Sequence, residues 1–461
     1  LKKEDRMVNV MDFGATGDGV TDDRLAIQAA LTVGAGGEVD FPIGSYAVSV
    51  GGLGWDLNVP AGTLLRGESR TGSVLMQRGG QPSSTRLLYL GGAGITLQNL
   101  TLDGNKANQT TDEHRSGVFA IGASGLVLRG VTARNFTGDG FYFSFASNGI
   151  MLDDLLGENN ERNGITFGGG TSGAILSRSQ FRGNKVQAFD SEPGSGYTVD
   201  GVSIIGCTLD VGVGNGSAIS AAGSGAGWRS KGWLIANNVI TGAVQIAWAT
   251  DVVFVGNTVR NPTNHSGVSV YRSCDHILIA NNDIALTGVS IQVISVLGTG
   301  TGQVPDHVQI IDNLLSTGMS HSHGIVVSNS RNTEISRNVM TGAGAVTAGV
   351  AGIYARPTIT TEDMQTLIVR GNTVSNFGQY GLAIAGLTGT SAKISKLEIV
   401  GNTWGDTVGT QLAALRLDDG SGAARDVRVS ENVLSGGCVT EIARAPAGAS
   451  VPTVGQRWLV P

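Results

Sequence analysis

An all-β solenoid is the fold this sequence predicts, and three observations predict it. The chain carries 71 Gly among 461 residues, without a Gly-X-Y period and with ample Val, Ile and Leu, which excludes both collagen and disorder. Short apolar alternating runs recur in rising order: Val118, Phe141, Ile165, Phe189, Ser217, Val244, Val268, Ile291, Ile325, Ile353, Leu382 and Leu415 each open one. Asn recurs in a second beat, at Asn238, Asn257, Asn282, Asn313, Asn338, Asn372, Asn402 and Asn432, each two residues before an apolar residue. The spacing gives coils of roughly 23–34 residues, within the range of repeat architectures.

The elements follow in chain order. Residues 7–31 read as a strand, a Gly/Asp turn and a helix over 21–31, with Thr21 as N-cap, Asp22 and Asp23 at the positive end of the dipole, and Leu25, Ile27, Ala29 and Leu31 as the apolar surface that covers the end of a solenoid. Each coil then opens on a strand, usually after a Gly such as Gly117, Gly140 or Gly164, which makes the tight corner. Asn side chains stacked at one corner of successive coils satisfy one another's amides, so the Asn beat is read as scaffold. The expected organisation is an N-terminal cap segment over 1–46, a β-helix over 47–439 and an extended tail over 440–461 that contains Trp458.

Val10-Met11-Asp12-Phe13-Gly14-Ala15 with Gly17-Asp18-Gly19 and Thr21-Asp22-Asp23, followed by Gly36-Gly37-Glu38-Val39-Asp40-Phe41-Pro42, resembles the opening of the pectate-lyase-like right-handed β-helix superfamily, which includes bacteriophage tailspike depolymerases. The match covers the first 46 residues closely and continues beyond them as a repeat pattern. The resemblance implies a right-handed parallel β-helix, a bacterial polysaccharide as partner, a virion-tail or extracellular location, and a homotrimer to which the Trp458 tail contributes. It does not imply one chemistry, because the fold hosts lyases, hydrolases, transferases and epimerases.

Composition narrows the partner. A net charge of -6 gives no electrostatic footprint for nucleic acid. No apolar run is long enough for a helical membrane span. Cys207, Cys274 and Cys438 fall in no spaced motif and are read as small buried hydrophobes. His321-Ser322-His323 has no Asp, Glu or Cys nearby to complete a metal site, so no metal is expected.

The candidate site centres on residues 187–193. In a strand, Phe189 and Ser191 point one way and Asp190 and Glu192 the other, with backbones roughly 6.5–7 Å apart. Two carboxyls on one face are the acid and base pair of a glycosidase, and this spacing leans towards the wide separation of inverting enzymes. The plain alternative is a pair of solvated acids closed off by Pro193. Further acids for catalysis are Asp139 and Asp200. Tyr142, Tyr271, Arg272, Trp228, His114 and Arg115 are the expected substrate-binding side chains. The outer face offers small residues around the acids and aromatics some coils away, a profile suited to an extended sugar chain. An endo-acting glycoside hydrolase without cofactor is the leading reading. A lyase is the alternative, with Ca²⁺ possible on the acids, and a non-catalytic attachment protein is the third.

Overall fold

The structure is a computed structural model. It describes residues 7–444 apart from 52–53, 212–216, 226, 289–291, 345–348, 359–362, 386–393, 407–412, 418–423 and 437–439. The chain divides into two compact units, Leu1–Leu234 and Ile235–Pro461. Each is an all-β parallel solenoid whose coils contribute one strand to each of three sheets.

In the first unit the first sheet runs from Met7–Asn9 to Val199–Ile205, the second from Asp18–Asp22 to Thr208–Asp210, and the third from Trp55–Asn58 to Ser217–Ala222. The third sheet holds the strands read from the sequence, in the register Phe119, Tyr142, Thr166, Asp190, Ser220. It begins with Trp55–Asn58 and Arg86–Leu90, two strands ahead of the first opening read at Val118 and within the 47–439 expected for the β-helix. Its inward Phe143, Phe167 and Phe189 meet edge to face at 5.1–5.5 Å, and Phe189 meets Trp233 of the first-sheet strand Ser230–Ala236 in the same way at 5.5 Å. That geometry suits ring quadrupoles and fixes the register of the strand carrying the acids.

The helix spans Arg24–Val33 rather than 21–31, and Thr21 is not its N-cap. Thr21 belongs to the strand Asp18–Asp22, where its backbone and hydroxyl donate to the Asp18 carboxylate. Asp23 precedes the helix, and its carboxylate turns back to accept from the backbone of Thr16 and Gly17. Ile27, Ala30 and Leu31 form the buried stripe, while Leu25 is 71% exposed and Ala29 is also exposed. The i, i+2 set expected from the sequence does not share a helix face; only i+3 and i+4 neighbours do.

In the second unit the first sheet runs from Ala249–Val255 to Ala424–Ser430, the second from Val239–Thr241 to Val433–Gly436, and the third from Ala243–Ala247 to Thr440–Arg444. The Asn beat forms the expected ladder. Each amide from Asn238 to Asn402 donates to the side-chain oxygen of the next Asn at 2.9–3.0 Å, ending on Asn432. A second, shorter ladder joins Asn160 to Asn184 in the first unit at 2.9 Å. Thr440–Arg444, the start of the expected tail, pairs as a strand with Ala413–Leu417. Trp458 and the rest of that tail lie outside the described residues, as do Ile291 and Cys438. Cys207 and Cys274 are buried, as expected.

Candidate active site

The site lies in the first unit, on the outer side of the third sheet. Phe189 is fully buried, which turns Asp190 and Glu192 outward on the strand Gln187–Glu192. In the preceding coil Arg162 lies just before the strand Asn163–Gly168, and one coil earlier Asp139 lies just before Phe141–Ser144. The stacking of three coils therefore gathers groups that are far apart in sequence.

Arg162 is the hub. Its Nη1 donates to Asp139 Oδ2 at 2.8 Å, its Nη2 pairs with Glu192 Oε1, and its Nε lies 3.8 Å from Glu113 Oε2. Burial alone would lower the guanidinium, but the charges of Asp139, Glu192 and Asp190 outweigh it and raise it above its ordinary value, so it is a fixed cation. Asp139 also accepts from the backbone of Asn163 at 3.0 Å. Burial nevertheless pushes Asp139 up to about 7, against the pull of Arg162.

Asp190 differs from the other two acids in having no guanidinium in its hydrogen-bonding shell. The Asn163 amide donates to it at 3.3 Å, and the Gln187 carboxamide lies 2.7 and 3.0 Å from its two oxygens, which makes the NH₂ the group that faces them. It is 9% exposed. Burial, then the charge of Glu192, push it up to about 8. Three acids share one nearby cation, and burial raises both Asp139 and Asp190, Asp190 the further of the two. A pair of solvated acids at a strand end is excluded for Asp190 by this burial. Glu192 retains a side-chain exposure of 34% and faces the cavity.

The cavity has a volume of about 270 Å³ and is lined by Arg86, Glu113, His114, Tyr142, Arg162 and Glu192 among others. From it a run of aromatics leads along the outer face. Tyr142 stacks on Phe119 at 5.8 Å, Phe119 lies 6.2 Å from Tyr89, and Tyr89 stacks on Trp55 at 4.2 Å. The Arg86 guanidinium sits 4.3 Å over the Phe119 ring. Burial raises Tyr142 above the ordinary phenol value. Ser144 Oγ and the Tyr142 hydroxyl would lie 2.4 and 2.9 Å from any Cβ at position 168, so only Gly168 leaves this floor open.

The other residues expected from the sequence are placed differently. Asp200 pairs in register with Ser172 in the first sheet and does not join the acids. Arg115 is fully buried, with its guanidinium donating to Gln109, Thr110 and the backbone oxygen of Gln81 at 2.6–3.3 Å, so it ties loops together rather than lining a surface. Trp228 sits in a turn bridged to Gly225, outside the cavity lining. Tyr271 and Arg272 belong to the second unit, where Arg272 lies 5.5 Å from the Tyr271 ring and the Tyr271 hydroxyl is 3.3 Å from Gln245. Sequence reasoning missed Arg162, Arg86, Trp55 and Tyr89. Arg162 and Asp139 hold neighbouring positions ahead of successive third-sheet strands, and that shared position was the available signal.

Residues 7–214 match the family model described as "Rhamnogalacturonase A/epimerase, pectate lyase-like". The resemblance to pectate-lyase-like β-helix proteins is therefore shown over that region. The mannuronan C5-epimerase AlgE6 of Azotobacter vinelandii is 32% identical over 173 residues, which is 34% of this chain and 20% of that protein. The pre-neck appendage protein of Bacillus phage phi29 is 32% identical over 127 residues, 26% of this chain and 14% of that protein. The chain spans between a fifth and a third of the length of the first two mannuronan epimerases it matches. Among solved structures, the pre-mature phi29 gene product 12 superposes with a TM-score of 0.52 at 16% identity, covering 94% of this chain and 72% of that one, which is a likeness of fold.

Proposed function

We propose that the first unit cleaves glycosidic bonds of a bacterial surface polysaccharide by hydrolysis, with Asp190 as general acid and Glu192 as the carboxylate that activates water. The observation that carries this reading is the contrast within the pair: Asp190 is buried, which pushes its carboxyl up to about 8, while Glu192 faces the cavity and pairs with Arg162. One acid and one base set apart by environment are what glycoside hydrolysis requires. Asp139, which also lines the cavity, holds Arg162 through the 2.8 Å bond and serves as a positioning residue. The step needs no metal or cofactor. The Asp190 and Glu192 carboxyls lie within hydrogen-bonding reach of each other, nearer than the roughly 6.5–9.5 Å that an inverting pair leaves for its water, so the inverting lean expected from the strand spacing is not carried over.

Elimination or epimerisation on a uronate-containing polymer is the second reading, and the similarity to mannuronan C5-epimerases over 34% of the chain favours it. It requires a cation to neutralise the uronate carboxylate. Arg162 is already engaged by Asp139 and Glu192, with Glu113 close by, which leaves Arg86 in the cavity lining as the cation this reading would use. Incubation with a panel of bacterial polysaccharides and analysis of the new ends separates these readings. Saturated reducing ends are expected; unsaturated, ultraviolet-absorbing ends mean elimination, intact polymer with inverted uronate residues by NMR means epimerisation, and unchanged polymer means attachment only.

The aromatic run from Trp55 to Tyr142 serves in this reading as a platform for sugar rings beside the cleavage point. Trp55→Ala is expected to raise KM by about five- to tenfold with kcat unchanged, the effect of losing roughly 1 kcal/mol of stacking felt equally by substrate and transition state. Steady-state kinetics on the cleaved polymer reads this. A virion-tail or extracellular location belongs to the same proposal, supported by the phage appendage relative, and a homotrimer is proposed with it from the tailspike resemblance. Light scattering is expected to give three chain masses, and a monomer mass at micromolar concentration would remove the trimer.

A further inference from the structure

The second unit carries a cluster that the hydrolytic site does not use. Asp275 and His276 open the first-sheet strand Asp275–Ala280, and His307 follows Asp306 at the start of the next coil's strand, with Asp275 and Asp306 in register. His276 Nδ1 lies 3.1 Å from Asp275 Oδ2, and His307 Nδ1 lies 2.9 Å from Asp275 Oδ1. The two imidazoles stack at 4.7 Å with an interplanar angle of 11°. One donor atom from each of Asp275, His276 and His307 falls within 4.8 Å of the others.

The backbone at these histidines is a second, independent observation. In the first unit the residue at the corresponding place in the first-sheet strands is Gly149, Gly173 or Gly201, each with φ between 59° and 64°. In the second unit that place is held by Asp251, His276 and His307, at φ 56°, 52° and 47°. Glycine adopts this left-handed conformation without cost, whereas a side chain there is uncommon, and such strain persists where the side chain has a task. The fold accepts Gly or a side chain at this place, as Asp251 shows, and what distinguishes the two histidines is that successive coils set them side by side. They also border a cavity of about 610 Å³ whose lining includes Gln309, Glu334, Thr366 and Ile368.

We propose that Asp275, His276 and His307 bind one divalent transition-metal ion of the zinc type, joining two successive coils of the second unit. Two imidazole nitrogens and a carboxylate are the donor set for zinc, copper or nickel rather than for calcium or magnesium, which take oxygen ligands. Three protein ligands leave further coordination positions for water or a ligand from the adjoining cavity. Neutral imidazoles supply both Nδ1 lone pairs by carrying their protons on Nε2, so binding needs no net proton release from the rings. The side chains of His276 and His307 are 60% and 52% exposed, which gives an ion direct access from solvent.

The test is calorimetric titration of EDTA-stripped protein with ZnCl₂. One equivalent is expected to bind with a dissociation constant on the order of micromolar, and His276→Ala and His307→Ala are each expected to weaken it at least about tenfold. His321→Ala is expected to leave binding unchanged. Circular dichroism of the variants confirms that each is folded, as exposed positions lead one to expect. ZnCl₂ is expected to raise the melting temperature of the wild type, and CaCl₂ is not. Absence of saturable zinc binding would overturn the proposal, as would equal binding by the His276→Ala, His307→Ala double variant.

Discussion

Asp190→Asn and Glu192→Gln are each expected to lower turnover by at least about a hundredfold, the low end for a general acid or base. On the barrier this corresponds to about 2.7 kcal/mol. Both carboxamides keep the volume of the acid, and neither replaced group belongs to the core, so circular dichroism and polymer binding are expected to match the wild type. The two variants differ in their effect on pH dependence. Asp190 acts as an acid only while it holds its proton, so wild-type turnover is expected to fall as pH rises through about 8. Glu192→Gln removes a charge that helps hold that proton on Asp190, and its residual activity is expected to decline at a lower pH. Near-normal turnover in both variants on a polymer that the wild type cleaves would make the acids structural.

Arg162→Met is expected to cost about 3–5 kcal/mol of folding stability, because it leaves Asp139 and Glu192 without their shared cation. Chemical denaturation measures this. The deficit should depend on pH, and the sign follows from Asp139, whose folded pKa of about 7 stands above the unfolded value of roughly 4. A raised carboxyl makes the folded state hold a proton that the unfolded chain releases, so its contribution is fully present below about pH 4 and is lost as pH rises through the folded value. Without Arg162 that value moves higher still, and the loss continues further into alkaline solution. The deficit is therefore expected to be smallest near pH 5 and largest above pH 8, and a pH-independent deficit would mean that packing rather than charge is what Arg162 supplies.

Much of the scaffold was legible because its signals are local and repeated. The Asn ladder and the third-sheet strands follow from periods that any coil shows, and the register places Asp190 beside Thr166 and Ser220 as an alternating strand requires. The helix was shifted because Asp18 and Asp23 spend their carboxylates on turn backbone, a choice that composition does not reveal. The site was half legible. Asp190, Glu192, Asp139, Tyr142 and His114 do gather around one unit's outer face, yet the Arg162 that organises the acids sits in a corner one coil away, where sequence spacing varies with loop length. Arg115 illustrates the opposite failure: a charged residue in a loop reads as surface, and only the three-dimensional path of residues 81–115 shows that its guanidinium fills the interior. The histidine cluster escaped for the same reason as Arg162, since His276 and His307 become neighbours only when two coils stack.

Cleavage of the true polysaccharide in ¹⁸O-labelled water, followed by mass spectrometry of the fragments, tests the hydrolytic assignment most directly. Hydrolysis by water activated at Glu192 predicts one ¹⁸O atom in each new reducing end, with Asp190→Asn slowing its appearance at least about a hundredfold. Fragments that carry no label and end in an unsaturated sugar would contradict it, because elimination breaks the same bond without adding water.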